Sequence, residues 1–219
     1  MDRHHRLTAQ HGRHLVRLSA ALALFALTTP SMAIEEPAYA VVERDEGFEL
    51  RDYPAVLVAE TEVDASFERA GNAAFGRLFR YISGANVGQV EIAMTAPVTQ
   101  QSAGEKIEMT APVTQQAAGS VQRVAFVVPA RFTPSTVPQP TDERVVIREW
   151  PARRVAVLRY GGRWTERNYD EALARLEAEL SARGLIAAGP PTLARYDPPF
   201  KPWFMRRNEV WIPVEAKPD

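Results

Sequence analysis

The chain has 219 residues, 26 of them basic and 27 acidic, with four His and no Cys. All four His fall before residue 15. Everything after them lacks imidazole and thiolate, which excludes a Ser-His-Asp or Cys-His triad, a His/Cys zinc site and any disulfide. The near-neutral balance also argues against a nucleic-acid partner, which demands a basic surface.

Residues 1–33 read as a secretory leader. Arg3, Arg6, Arg13 and Arg17 precede an apolar run over residues 18–27, followed by Pro30 and the small-residue site Ser31-Met32-Ala33. The run is too short to span a bilayer, so cleavage after Ala33 and no stable membrane insertion are expected, giving a periplasmic or secreted protein. Cleavage would leave 22 basic and 26 acidic residues, a net charge of −4.

Residues 39–44 and 48–51 read as strands flanking a turn at Asp45-Glu46-Gly47, and residues 56–63 alternate as a third strand. The period then changes. Phe67, Gly71, Ala74, Phe75, Leu78, Tyr81 and Ile82 share one face of a helix over residues 65–82, with Arg69, Asn72, Arg77 and Arg80 on the other side and Gly84 as its stop. Strands are predicted over 121–128, 145–149 and 155–160, with an ordered Pro/Thr-rich loop over 129–141. Tyr169, Leu173, Leu176 and Leu180 mark a second helix, begun near Thr165 or Asn168 and ended by Gly184. Final strands are predicted over 192–196 and 209–214.

Two repeats stand out. MTAPVTQQ occurs at residues 94–101 and again at 109–116. Met94 and Met109 thus invite reading as a pair of soft ligands. If the copies pair as a hairpin, however, the two Met lie about 13 Å apart along it at the usual strand rise, too far for one iron. Core packing is therefore expected for both, with Pro97 and Pro112 keeping either strand from full pairing in mid-sheet. The fainter repeat sets Leu50-Arg51-Asp52-Tyr53-Pro54-Ala55 against Ile147-Arg148-Glu149-Trp150-Pro151-Ala152. It predicts an α+β domain of two β-rich halves in pseudo-two-fold relation, each with one covering helix, with a cleft between them.

Taken together, several segments resemble the SOUL haem-binding protein family over residues 39–214: Phe48-Glu49-Leu50-Arg51-Asp52-Tyr53-Pro54, Phe75 with Tyr81-Ile82-Ser83-Gly84, Ile107-Glu108-Met109-Thr110-Ala111-Pro112-Val113, Arg195-Tyr196-Asp197-Pro198-Pro199, and Arg206-Arg207-Asn208-Glu209-Val210. The resemblance implies a distorted antiparallel β-barrel with two helices over residues 34–219. It further implies that haem or a related tetrapyrrole binds, without covalent attachment, in a shallow apolar cleft beside the first helix and the loop before the last strand. Two departures are plain. One branch of the family carries a His where this chain has Asp52, and its relatives carry one MTAPV segment where this chain has two.

The loop over residues 197–207 is the leading candidate site. It gathers Pro198, Pro199, Phe200, Pro202, Trp203, Phe204 and Met205, more apolar surface than a loop ordinarily exposes, and its prolines keep it stiff. Folding back on the barrel end is the competing reading. With the resemblance, Phe75 and Phe79 on the first helix complete an apolar lining. Arg77, Arg80, Lys201, Arg206 and Arg207 are candidates to pair with propionates. Alternatively, Arg207-Asn208-Glu209 is structural, with Glu209 paired to Arg51 or Arg148. Among Tyr53, Tyr160 and Tyr196, the last adjoins the loop and is the candidate phenolate ligand, although a ring held by apolar contact alone is the leading expectation. Asp52 and Glu149 occupy matching repeat positions, which favours structural roles. The function expected is an exported tetrapyrrole (haem) carrier or buffer. The alternative is a module for another hydrophobic ligand or a protein partner. An enzyme ranks last, since no nucleophile, metal site or general base is identifiable.

Overall fold

The computed structural model describes residues 34–88 and 104–215. Strands β1 (Ala40–Asp45), β2 (Phe48–Tyr53) and β3 (Val56–Val63) lead into helix α1 (Phe67–Ile82). After β4 (Asn86–Val87) come β5 (Val113–Ala118), β6 (Val121–Val127), β7 (Gln139–Pro140), β8 (Val146–Trp150) and β9 (Arg153–Tyr160). Helix α2 (Glu166–Arg183), β10 (Thr192–Arg195), a 3-10 turn (Trp203–Met205) and β11 (Asn208–Val214) complete the order. Thr165 settles the start of α2: its hydroxyl accepts from Asn168 N at 3.3 Å. Gly184, at φ +63°, supplies the left-handed stop.

Nine strands form one antiparallel sheet in the order β1-β2-β9-β11-β10-β5-β6-β3-β8. The α+β class holds, but the expected closed barrel does not form among the described residues. The two outer strands, β1 and β8, have no pairing with each other. β1 is exposed throughout and carries an irregularity between Val41 and Glu43, features that discourage a further strand.

Each helix seals its own set of strands. Ala70, Ala74, Leu78, Tyr81 and Ile82 of α1 pack on Leu57, Ala59, Val124 and Phe126. Ala172, Leu176 and Leu180 of α2 pack on Phe48, Leu50, Ala156, Leu158, Val210 and Ile212. The faint repeat reappears in the pairing. Asp52 faces Arg154 and Leu50 faces Ala156, while Leu57 faces Glu149 and Ala59 faces Ile147, the same register displaced by 97 residues.

The second MTAPVTQQ copy corrects one expectation. β5 opens at Val113, one residue after Pro112, and pairs with β6 on one edge and β10 on the other. It is an interior strand, because the proline sits just outside the ladder and removes no donor from it. Its hairpin partner is β6, through a turn at Gly119 (φ +64°), rather than the first copy. Met109 packs against the α1 core, as expected; Met94 and Pro97 lie outside the described residues.

On the sheet face away from the helices a buried carboxylate organises the core. Glu209 accepts from Arg51 Nη1 at 2.9 Å and Nη2 at 3.1 Å, Tyr196 Oη at 2.7 Å, Trp211 Nε1 at 2.8 Å and Arg207 Nε at 3.1 Å. Arg51 Nη1 also reaches Tyr53 Oη at 3.1 Å. Burial pushes the Glu209 carboxyl up, but the Arg51 guanidinium, aided by Tyr196 and Trp211, outweighs it and holds the group below its ordinary 4.5. Of the two partners weighed for Glu209, the structure selects Arg51; Arg148 instead meets Glu60 at 2.9 Å.

Because Glu209 binds its proton less readily folded than unfolded, its stabilisation is complete above pH 4.5 and fades as pH falls through the lower folded value. Urea midpoints of the wild type are expected to fall on acidification below that point, with a shallower fall in Glu209→Gln. Arg51→Met, which strands the carboxylate, is expected to cost about 3–5 kcal/mol by urea denaturation at neutral pH. A loss under about 1 kcal/mol would show that the pair is dispensable.

Candidate functional site

The apolar loop is held rigidly by its own polar groups. Asp197 accepts from Lys201 Nζ and from Arg207 N, each at 2.5 Å, closing the loop at its base. Arg206 donates from Nε to Lys201 O at 2.8 Å and from Nη2 to Pro199 O at 2.5 Å. Held in this way, the loop does not fold its side chains back. Phe200 is 87% exposed, Phe204 67%, Met205 57% and Trp203 47%. Trp203 and Phe204 meet edge to face with centroids 5.7 Å apart.

A second aromatic surface lies on α1. Phe75 and Phe79, one helical turn apart, stack at 5.6 Å with 13° between planes. The wheel expectation that Phe75 is core is half right: its ring meets Phe126 edge-on at 5.5 Å but is partly exposed. Arg77 departs from the expected site. It projects from the opposite flank of α1, where Nη1 donates to Thr61 Oγ1 and Glu62 O on β3. Arg77, Arg80 and Arg144 line a separate polar cleft of about 520 Å³ with Asp142.

One cross-strand row on the helix side joins the two aromatic surfaces. In register across β9, β11, β10, β5 and β6 stand Tyr160, Asn208, Arg195, Val113 and Phe126. Phe75 sits on Phe126 at one end. Two strands away, about 10 Å at normal sheet spacing, lies Arg195. The Trp164 ring is 4.9 Å from the Arg195 guanidinium and 4.2 Å from that of Arg206, so Trp164 connects the row to the loop. Trp164 Nε1 donates to Asn208 Oδ1 at 2.8 Å, fixing the ring.

Arg195 is 6% exposed. Its Nη2 donates to Gln115 Oε1 at 2.9 Å, and Gln115 Nε2 donates to Phe67 O at 2.9 Å, which ties the arginine to the first turn of α1. Gly71 makes the room: a Cβ there would stand 2.3 Å from Arg195 Nη1. Burial pushes the Arg195 guanidinium down to about 10, aided by Arg206 and opposed by Tyr160.

Tyr196, the candidate phenolate ligand, is engaged elsewhere. Its hydroxyl donates to Glu209 in the buried network on the other face, and burial pushes its pKa far up. The expected propionate partners Lys201, Arg206 and Arg207 are committed to Asp197, to loop carbonyls, and to Glu36 with Glu209. Sequence reasoning missed Trp164 as a site residue and Arg195 altogether as a cation in the core. It also missed Arg163, whose guanidinium lies 5.4 Å from the Trp203 ring.

The SOUL haem-binding protein family model matches residues 34–104 and 99–213, the two matches meeting in the duplicated segment. The chain belongs to the SOUL haem-binding family. Heme-binding protein 1 of Mus musculus is 30% identical over 175 residues, covering 78% of this chain and 85% of that protein. Heme-binding protein 1 of Xenopus tropicalis is 28% identical over 166 residues, covering 75% and 82%. Among solved structures, the EcmrR C-terminal domain superposes with a TM-score of 0.56 at 12% identity, covering 82% of this chain and 99% of that one. That last likeness is one of fold.

Gly71→Ala is expected to cost about 1–3 kcal/mol by overpacking against Arg195. Combined with Arg195→Ala, most of that cost should vanish. A double-mutant cycle in urea measures the coupling, and simple additivity would rule out the close approach.

Proposed function

We propose that the chain is an exported, periplasmic or secreted protein that carries or buffers haem or a related tetrapyrrole, with the leader removed. The ring rests on the outward-facing Trp203, Phe204 and Met205 and on the Phe75–Phe79 pair, held by apolar contact. The 97-residue displacement in register supports reading the domain as two halves in pseudo-two-fold relation, with the binding surface where they meet.

The observation that carries this reading is the stiffened loop that exposes four large apolar side chains in a member of a haem-binding family. Pre-ordered apolar surface suits a flat ring, because little freedom remains to be lost on binding. The residues present fit a macrocycle better than they fit its iron. After residue 33 the sequence has no His or Cys, and Tyr196 is sealed beneath Glu209. Bound haem would supply the iron and its redox chemistry; the chain's own residues bind and orient the ring. No residue set in the site suggests acid–base or nucleophilic work, so carriage rather than turnover is the reading.

Hemin titrated into residues 34–219 is expected to give a saturable one-to-one Soret change. Trp203→Ala with Phe204→Ala should weaken binding about tenfold or more. Tyr196→Phe should leave the Soret position unchanged while lowering stability, as expected of a structural phenol. Failure to saturate, with another apolar molecule or a protein co-purifying instead, would favour the competing occupant of the same surface.

A further inference from the structure

We propose that Arg195 and Tyr160 form the floor of a small anion-binding position beneath Trp164, suited to one carboxylate. Four observations converge on it. The Arg195 guanidinium is buried with no described carboxylate within ion-pair distance, and its Nε finds no acceptor. The Tyr160 hydroxyl is likewise buried with no partner among the described residues. The two belong to the same row on the same sheet face, with only Asn208 between them. Asn208 is already engaged by Trp164 and by Gly162 O, so it closes neither.

Among the described residues, the local charge balance lacks one negative group. The other deeply buried arginine, Arg51, has Glu209 as counter-charge. Arg195 has the Trp164 face and one amide oxygen, and a cation on an aromatic face recovers only part of the cost of burying a charge. Its surroundings add further positive charge. Arg206 shares the Trp164 ring, and the first turns of α1 and α2 meet alongside, where Phe67 packs on Tyr169 at 4.9 Å and Glu68 accepts from Glu166 N at 3.2 Å. Ser66 gives α1 no side-chain cap. Glu68 is exposed and engaged with α2. A carboxylate accepting from Arg195 Nε and Tyr160 Oη would satisfy both orphan groups and neutralise the site.

Two sources share this chemistry: a free small carboxylate, or an acidic side chain of a ring resting on the neighbouring loop. Trp164 is the cover in either case. The proposal stands apart from the tetrapyrrole reading, and the test separates the two. In the first arm, acetate is compared with chloride at constant ionic strength. Acetate should raise the urea midpoint of the wild type but not of Arg195→Met or Tyr160→Phe. In the second arm, deuteroporphyrin is compared with its dimethyl ester. The two variants should weaken the diacid about 10- to 100-fold and leave the ester unchanged. Tyr160→Phe removes only a hydroxyl, so it keeps the test alive if Arg195→Met folds poorly. An acetate effect without porphyrin binding would support the anion position and defeat the tetrapyrrole reading. Porphyrin binding that ignores both variants and the ester, with no acetate effect, would overturn the anion position, leaving buried water as the occupant.

Discussion

The carboxylate of Glu209 is the constraint on which the rest of the molecule hangs. A fully buried charge is tolerable only when its hydrogen bonds are complete, and five donors from Arg51, Tyr196, Trp211 and Arg207 complete them. Those donors come from β2, from β11 itself and from both ends of the apolar loop. One anion therefore fixes the early hairpin, the central strand and the base of the loop together. Asp197 repeats the device at smaller scale, gathering Lys201 and the Arg207 amide.

Strand alternation then sends the neighbouring residue the other way. Asn208 precedes Glu209 and faces the helices, where its row partners are Tyr160 and Arg195. The same short segment thus sets two polar nodes on opposite faces of one sheet. The node around Glu209 is electrically closed. The node around Arg195 is open: among the described residues the cation has no counter-charge and the Tyr160 phenol no partner. The open node meets the exposed loop through Trp164, and the closed one holds the loop at its base.

Much of this was legible in the sequence, for physical reasons. Period-two and period-3.6 patterns located most of the longer strands and both helices, while the two-residue strands β4 and β7 carried no such pattern. The match of residues 50–55 to 147–152 anticipated the shared strand register. Closure of the barrel was not legible, because whether β1 and β8 meet depends on the twist of nine strands and not on the pattern of any one. The helical wheel was half right about Phe75, whose ring packs edge-on against Phe126 yet remains partly exposed. Arg77 was placed on the solvent side, yet its long stem reaches back to β3. Arg195 was hidden because a cation in Thr-Leu-Ala-Arg-Tyr looks like an exposed strand end. The absence of a side chain at Gly71, far away in the sequence, leaves the room it occupies. The surplus of apolar residues in the loop was legible too, and the structure turns Phe200, Trp203, Phe204 and Met205 outward.

Rigidity and exposure together say what sort of binding surface the loop makes. Arg206 clamps two of its carbonyls, and the Asp197 bonds close its ends, so the aromatic side chains stand outward without needing a ligand to order them. A ring landing there loses its own freedom but asks little reorganisation of the protein, which favours fast association. With no imidazole available after residue 33, departure of a ring bound as proposed would not be held back by an iron–imidazole bond. Fast arrival and ready release are what a carrier or buffer requires. A buried anchor for one acidic substituent would then select the orientation of the ring without deepening the cleft.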